Sequence, residues 1–139
     1  MTEPESQDES TTRDVAKLAD RFLQQRADER DIAIVERQLG RYPRGMVAVG
    51  AVVVNRVRSS RFPNTLAGVI YQSGAFDAVS DGQINLAPSE QSRRAARDAL
   101  NGWDPTSGCL YYYNPATATS SWIWSREVRL TIGDHSFAV

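Results

Sequence analysis

Cysteine and histidine, the residues that build disulfides and many metal sites, each occur once in the sequence, as Cys109 and His135. One cysteine excludes an intramolecular disulfide, and one histidine excludes a multi-histidine zinc site. We therefore expect neither a metal ion nor a cofactor. Cys109 begins the apolar run CLYYY, in which a buried and unreactive thiol is expected. No apolar run approaches the roughly 18 residues that span a membrane, so we expect no membrane insertion.

Lysine is almost absent as well, because fifteen of the sixteen basic residues are arginine. The formal net charge is −1, but four acidic residues lie within the first twelve positions without a basic one. The rest of the chain carries 16 basic and 13 acidic residues. This small positive excess is far below that of a nucleic-acid-binding domain, and it suits a weakly anionic substrate.

The 139-residue chain is expected to form one folded domain with a single hydrophobic core. Residues 1–11 lack aromatic and aliphatic side chains and are predicted to be a disordered acidic tail. This polar beginning does not have the pattern of a signal peptide. We expect residues 12–139 to form the functional domain.

The first half of the chain has features of helices. Val15 and Leu18 belong to an apolar stripe at helical spacing, and Thr65 is expected to cap a short helix that begins at Leu66. Residues 46–57 are almost entirely apolar and leave two alternatives open. Their valines favour a strand, whereas a length of twelve residues favours a buried helix.

The second half predicts a helix followed by strands. Residues 88–101 form the clearest helical pattern, after a loop that is expected over residues 73–87. Residues 109–113 read as a strand, and residues 126–132 and 135–139 read as a hairpin. Helices that precede strands in this way indicate an α+β fold.

Glu36 is the acidic residue best placed for proton transfer. A glutamic acid that donates a proton must stay protonated near neutral pH, and burial achieves this by raising its pKa. Glu36 lies four residues after Ile32 and three before Leu39, within the apolar stripe of a predicted helix. The alternative is a structural glutamate that pairs with an arginine at the edge of the core.

The segment 111–126 combines five large aromatic residues with a hydroxyl-rich turn. Aromatic faces beside Ser, Thr and Asn side chains suit the rings and hydroxyls of a sugar. The same composition also suits a packed β core. Composition alone therefore leaves both interpretations open.

Five blocks of sequence, taken together, identify a resemblance to a known family. They are AVGAVVVNRV (48–57), FPNTLAGVIYQ (62–72), GAFDAVSDGQ (74–83), AARDALNG (95–102) and YNPATATSSWIWSR (113–126). In this order they resemble the catalytic domain of the SleB-type spore cortex-lytic enzymes and their cell wall hydrolase relatives. The resemblance runs from about Asp31 to Phe137, which is most of the folded chain.

The resemblance implies a small lysozyme-like, or lytic transglycosylase-like, α+β domain with a helical N-terminal part and a C-terminal β-hairpin. It also selects a helix for residues 46–57. The implied activity is cleavage of the glycan backbone of peptidoglycan, particularly the spore cortex, during sporulation or germination. A single glutamate acts as acid and base, and the C6 hydroxyl of the substrate replaces the second carboxylate of most glycosidases. The implied partners are peptidoglycan strands and an unspecified accessory spore protein, and the implied location is extracytoplasmic, in the cell wall or cortex.

The family's catalytic glutamate begins the motif EARGEP, about eight residues before a glycine that opens the valine-rich helix. Glu36 lies nine residues before Gly45, so matching it to the motif requires a one-residue insertion. A gapless alignment places Arg37 at the catalytic position, and Arg41 lies near the motif's second glutamate. This departure leaves an alternative function open, that of a peptidoglycan-binding module with a degraded catalytic motif.

The remaining residues that we expect to contact substrate lie in two segments. They are Phe76, Ser80, Asp81 and Gln83 in the predicted loop, and Tyr113, Asn114, Thr119, Trp122 and Trp124 in the aromatic segment. An alternative interpretation of Asp81 is that it only braces its loop. One or two of the tryptophans could equally belong to the core. Asn55 and Arg56 are interpreted mainly as structural hydrogen-bonding groups, and His135 is given no part in the reaction.

Overall fold

The computed structural model describes residues 12–21 and 44–139. The predicted tail 1–11 and the predicted acid Glu36 lie outside the described residues. The helices are α1 (residues 12–21), α2 (Arg44–Arg58), α3 (Leu66–Ile70), α4 (Asp77–Ser80) and α5 (Glu90–Leu100). The strands are β1 (Tyr111–Tyr113), β2 (Val128–Ile132) and β3 (His135–Ala138). None of the helices in these two ranges is long and apolar enough to cross a membrane.

Helix α2 lies at the centre of the molecule. Ten of its fifteen residues are buried. A helix that is buried on nearly every side has no polar face, so its sequence shows no clear helical period. One side packs against α1 and α5, and the other side places Ala48 and Val52 against Cys109 and Phe137 of the sheet region. The helix that the resemblance selected for residues 46–57 is confirmed.

Gly50 allows α2 to approach its neighbours closely. A Cβ atom added at this position would lie 2.8 Å from the Cβ of Ala99 on α5 and 3.1 Å from a methyl carbon of Val15 on α1. Val15 and Ala99 are both buried. The absence of a side chain at Gly50 therefore sets the spacing of three helices.

Two helix starts carry side-chain caps, and the cap at Thr65 is the one predicted from the sequence. The hydroxyl of Thr65 accepts a hydrogen bond from the amide of Gly68 at 3.0 Å, and that of Ser89 accepts one from the amide of Ser92 at 3.1 Å. Each bond satisfies an amide that has no partner within its own helix. The predicted helix at 88–101 is confirmed as Glu90–Leu100. The loop expected over residues 73–87 is wrong in part, because it contains α4 and the 3-10 turn Gln83–Asn85.

The three strands form an antiparallel sheet in the order β1-β3-β2. The hairpin between β2 and β3 is confirmed, and β1 pairs with the other edge of β3, with Tyr112 opposite Phe137. The predicted strand at 109–113 is confirmed in its last three residues. The order of elements, with helices first and a small sheet last, is the expected α+β arrangement.

The turn before β1 is organised around the carboxylate of Asp104. One oxygen accepts hydrogen bonds from the amide and hydroxyl of Thr106, at 2.7 and 2.6 Å. The other accepts bonds from the amide of Gly108 at 2.8 Å and from the side-chain amide of Asn55 at 2.9 Å. Burial alone would raise the pKa of Asp104, but these hydrogen bonds outweigh it and hold the pKa below its ordinary value.

Candidate functional site

A cavity of about 230 Å³ opens where the last turns of α2, the start of α4, strand β1 and the segment 114–123 meet. Five of the predicted substrate-binding residues line it, namely Phe76, Tyr113, Asn114, Thr119 and Trp122. They come from two separate parts of the sequence, and the fold brings them to one site. The cavity is therefore the candidate functional site.

The other predicted residues lie elsewhere or are not described. Ser80 is exposed at the end of α4, and Asp81, the next residue, accepts a hydrogen bond from Arg21 of α1. The side chain of Gln83 is outside the described residues, as is Glu36. Trp124 is 51% exposed and does not line the cavity, but its ring meets that of Tyr113 edge-on at 5.4 Å.

The aromatic segment contains both packed and exposed rings. Tyr112 packs against the rings of Phe76 and Phe137, and burial raises the pKa of its hydroxyl. Trp122 is instead 54% exposed and contacts Tyr111 edge-on, with ring centres 5.5 Å apart. An exposed indole at the cavity wall is suited to stacking on a sugar ring.

The segment 114–120 forms the polar side of the cavity. The side-chain oxygen of Asn114 accepts a hydrogen bond from the amide of Ala116 at 2.9 Å, and its carbonyl accepts bonds from the amides of Thr117 and Ala118. These bonds fix a tight turn. The hydroxyl-bearing residues Thr117, Thr119 and Ser120 all line the cavity, where they can exchange hydrogen bonds with a ligand rich in hydroxyl groups.

The lining residues that sequence reasoning did not assign to the site include Arg21, Arg56, Tyr112 and His135. His135 is buried on β3, and its ring centre lies 6.1 Å from that of Tyr112. Arg21 and His135 are far apart in sequence, so no local pattern connects them. Arg56 did carry a signal, because a charged residue inside an apolar helix must face a polar group or a cavity.

Arg56 is held in place by contacts with β1 and three rings. Its Nε donates a hydrogen bond of 2.7 Å to the carbonyl of Leu110, and its guanidinium carbon lies 4.9 to 5.3 Å from the ring centres of Phe62, Phe76 and Tyr111. Burial lowers the pKa of Arg56, while Tyr112 and Tyr111 act in the opposite direction. These contacts agree with the structural hydrogen-bonding role inferred from the sequence.

The charges around the cavity suit binding of a polar ligand. Asp77, exposed in the first turn of α4, provides a carboxylate at the cavity wall. Within residues 12–21 and 44–139, no group of three His, Cys, Asp or Glu side chains is arranged to hold a metal ion. The described walls offer hydroxyl groups, charged groups and an exposed indole to a polar ligand.

Comparisons with known proteins identify the family of the chain. The sequence profile of the cell wall hydrolase family matches residues 40–138. A spore cortex-lytic enzyme of Bacillus cereus is 58% identical over 93 residues, which are 67% of this chain and 36% of that protein. The cell wall hydrolase CwlJ of Bacillus subtilis is 32% identical over 102 residues, covering 65% of this chain and 71% of that protein. The chain spans about a third of the length of the spore cortex-lytic enzymes that it matches.

The fold has a close counterpart among solved structures. The catalytic domain of the germination-specific lytic transglycosylase SleB from Bacillus anthracis superposes with a TM-score of 0.70 at 45% identity, over 91% of this chain and 93% of that one. The catalytic domain of the Bacillus cereus SleB protein gives a TM-score of 0.66 at 44% identity, over 91% of this chain and 89% of that one. This match confirms the expected lysozyme-like α+β fold. The chain belongs to the cell wall hydrolase family.

Proposed function

We propose that this domain cleaves the glycan strands of peptidoglycan, with spore cortex as the main substrate, by a lytic transglycosylase reaction. The observation that carries the proposal is the cavity bordered by Trp122 and the hydroxyl-rich segment 114–120. It occurs in a chain that is 45% identical, over nearly its whole length, to the catalytic domain of a lytic transglycosylase. We assign residues 12–139 to the catalytic unit, acting in the cell wall or cortex.

Glu36 is the proposed acid and base. In its neutral form it donates a proton to the glycosidic oxygen that follows muramic acid, and the C1–O bond breaks. The resulting carboxylate then accepts the proton of the C6 hydroxyl of the same sugar while that oxygen bonds to C1. The products are a 1,6-anhydromuramic acid end and a free hydroxyl on the departing sugar, and no water is consumed. Glu36 returns to its protonated form.

The described residues hold the strand in this scheme. Trp122 stacks on a sugar ring, and Tyr113 and Asn114 flank the neighbouring position. Thr119 exchanges hydrogen bonds with sugar hydroxyls or acetamido groups. Binding energy from these contacts would orient the glycosidic bond toward the acid, which is the main contribution that a rigid wall makes to catalysis.

Product analysis tests the proposal directly. The protein is incubated with purified cortex and with vegetative peptidoglycan, and the soluble fragments are analysed by mass spectrometry. The proposed reaction predicts fragments whose muramic end lacks the mass of one water molecule. Fragments with a reducing muramic acid end would instead identify a hydrolase. Release of stem peptides from intact strands would identify an amidase and overturn the assignment.

A second function, glycan binding without cleavage, is favoured by one observation. The sequence from Glu36 to Gly45 is one residue longer than the family motif and has Arg41 near its second glutamate. A binding module would sediment with insoluble peptidoglycan and release no soluble product. It would also bind equally well after Glu36→Gln, because no proton transfer is required for binding.

A further inference from the structure

Arg56 places a fixed positive charge in the wall of the cavity. It lies near the C-terminal end of α2, is only 7% exposed, and is one of the residues that line the cavity. Burial of an arginine is costly unless its charge meets an opposite charge or a set of strong acceptors. The partners of Arg56 therefore indicate what the cavity is built to receive.

All the contacts of Arg56 with the described residues are to neutral groups. Its Nε donates to the carbonyl of Leu110, and the rings of Phe62, Phe76 and Tyr111 surround the guanidinium. None of the ion pairs found within residues 12–21 and 44–139 includes Arg56. The Nε–H is used by the carbonyl of Leu110, and no hydrogen bond from the two terminal nitrogens to a described residue is found, so they remain as donors for a ligand.

The other charged groups at the cavity are placed differently. Arg21 is already paired with Asp81, so much of its charge is neutralised within the protein. Asp77 is exposed, and water screens its carboxylate. His135 is buried in the wall beside Tyr112. Among the described residues, Arg56 therefore carries the buried charge that a ligand in the cavity would meet.

We infer that Arg56 is a specificity-determining residue that binds a carboxylate carried by a muramic acid residue of the glycan strand. The two terminal nitrogens of a guanidinium match the two oxygens of a carboxylate, and these charge-assisted hydrogen bonds are strong in a buried site. The substrate class rests on the proposed function. Two sources offer this chemistry: the lactyl group of an unsubstituted muramic acid, and the terminal carboxylate of a stem peptide shortened to one alanine.

The test compares ligands that differ only in charge. The first pair is a soluble tetrasaccharide of alternating N-acetylglucosamine and N-acetylmuramic acid with free lactyl carboxylates, and the same sugar with lactyl carboxamides. The second pair carries lactyl-alanine with a free carboxylate, and its alaninamide. Binding is measured by calorimetry in the Glu36→Gln background, which prevents turnover. We expect the carboxylate form of at least one pair to bind about tenfold more tightly than its amide.

Arg56→Gln should remove this preference, because the amide keeps polar contacts but has no charge. Arg126→Gln is the matched control. Its Nε also donates to a backbone carbonyl, that of Val139 at 3.0 Å, and its guanidinium lies 4.9 Å from the ring centre of Tyr111, but it does not line the cavity. This variant should keep the tenfold preference. The pair of ligands that shows the preference identifies the source of the carboxylate.

Two results would overturn the inference. One is equal affinity for carboxylate and amide in both pairs with Arg56 intact, which decides the matter even if Arg56→Gln does not fold. The other is an unchanged preference in folded Arg56→Gln. The proposed function fails separately: a chain that discriminates between the ligands but releases no product from peptidoglycan binds as inferred and does not cleave. If the protein cleaves peptidoglycan but binds carboxylate and amide ligands equally, the proposed function stands and the inferred role of Arg56 is wrong.

Discussion

The side-chain amide of Asn55 donates a hydrogen bond of 2.9 Å to the carboxylate of Asp104, and this bond joins α2 to the turn before β1. The same amide nitrogen donates to the carbonyl of Cys109, and the next helix residue, Arg56, binds the carbonyl of Leu110. Two adjacent residues of α2 thus hold two consecutive carbonyl groups. The position of β1, and with it one wall of the cavity, depends on this junction.

Removal of the Asp104 carboxylate should destabilise the protein. Asp104→Ala leaves the amides of Thr106 and Gly108 without their acceptor and removes one of the two acceptors of the Asn55 side-chain amide. We expect the free energy of unfolding to fall by about 2–3 kcal/mol, the range for losing hydrogen bonds to a charged group. Urea denaturation at neutral pH measures this change in the free energy of unfolding. Asp134→Ala, at an exposed position in the β2–β3 turn, is the control and should change stability by less than about 0.5 kcal/mol.

The same carboxylate should make stability depend on pH. The pKa of Asp104 is lower in the folded state than in the unfolded state, so the folded state favours the charged form. Its contribution is complete above the unfolded pKa, near pH 4 (~3.9 for a free aspartate), and is lost as pH falls through the lower folded pKa. The stability difference between wild type and Asp104→Asn should therefore narrow below about pH 4. Urea titrations at several pH values measure this, and a constant difference would contradict it.

Gly50→Ala tests two effects of opposite sign. Alanine favours a helix over glycine by about 1 kcal/mol, whereas overpacking of a core costs about 1–3 kcal/mol. The new methyl group would lie 2.8 Å from the Cβ of Ala99, which cannot rotate away. We expect net destabilisation, measured as a lower urea midpoint. The double variant with Ala99→Gly should recover part of the loss, and a stabilised single variant would show that the helices can separate at little cost.

Trp122→Ala should weaken glycan binding without unfolding the protein. The indole is half exposed, so its removal costs little core packing, but it borders the cavity. We expect affinity for a soluble peptidoglycan tetrasaccharide to fall about tenfold, the effect of losing an aromatic anchor worth more than 1 kcal/mol. Trp103→Ala is the matched control, because Trp103 is 44% exposed and does not line the cavity. Equal losses in the two variants would remove Trp122 from the binding surface.

Glu36→Gln should abolish product release from peptidoglycan while binding persists. The amide cannot donate the proton, and loss of a general acid typically costs 10²–10⁴-fold in rate, so we expect at least about a hundredfold decrease. Glu127→Gln, at an exposed residue that pairs with Arg129, controls for the loss of one negative charge and should keep full activity. Product release by Glu36→Gln at the wild-type rate would transfer the acid role to another residue.

The sequence predicted those elements whose signals are local. Thr65 carries its capping hydroxyl at the first turn that it stabilises, and residues 126–139 have the alternation of a hairpin. Helix α2 could not be distinguished from a strand, because burial on both sides removes the polar face that reveals a period. The short helix α4 was missed because four residues contain too few positions to show any period.

The residues of the candidate site also differ in whether a local sequence pattern could predict them. Tyr113, Asn114, Thr119 and Trp122 lie within ten consecutive residues, so one aromatic and hydroxyl-rich segment pointed to all of them. His135 reaches the cavity only through the pairing of β3 with β1, which brings Ser136 opposite Tyr113. Arg21 reaches it from a helix more than fifty residues away from Phe76 in sequence. Such contacts follow from topology, and no local pattern encodes them.

The central place of β3 in the sheet has a consequence for synthesis. Both other strands pair only with β3 among the described strands, and β3 is the last of the three to be translated. While the chain is being translated, β1 and then β2 leave the ribosome before β3, the strand that forms hydrogen bonds with their amides and carbonyls. The helices can associate earlier, but the apolar side of α2 that faces the sheet stays open to chaperones until residue 138 has left the exit tunnel.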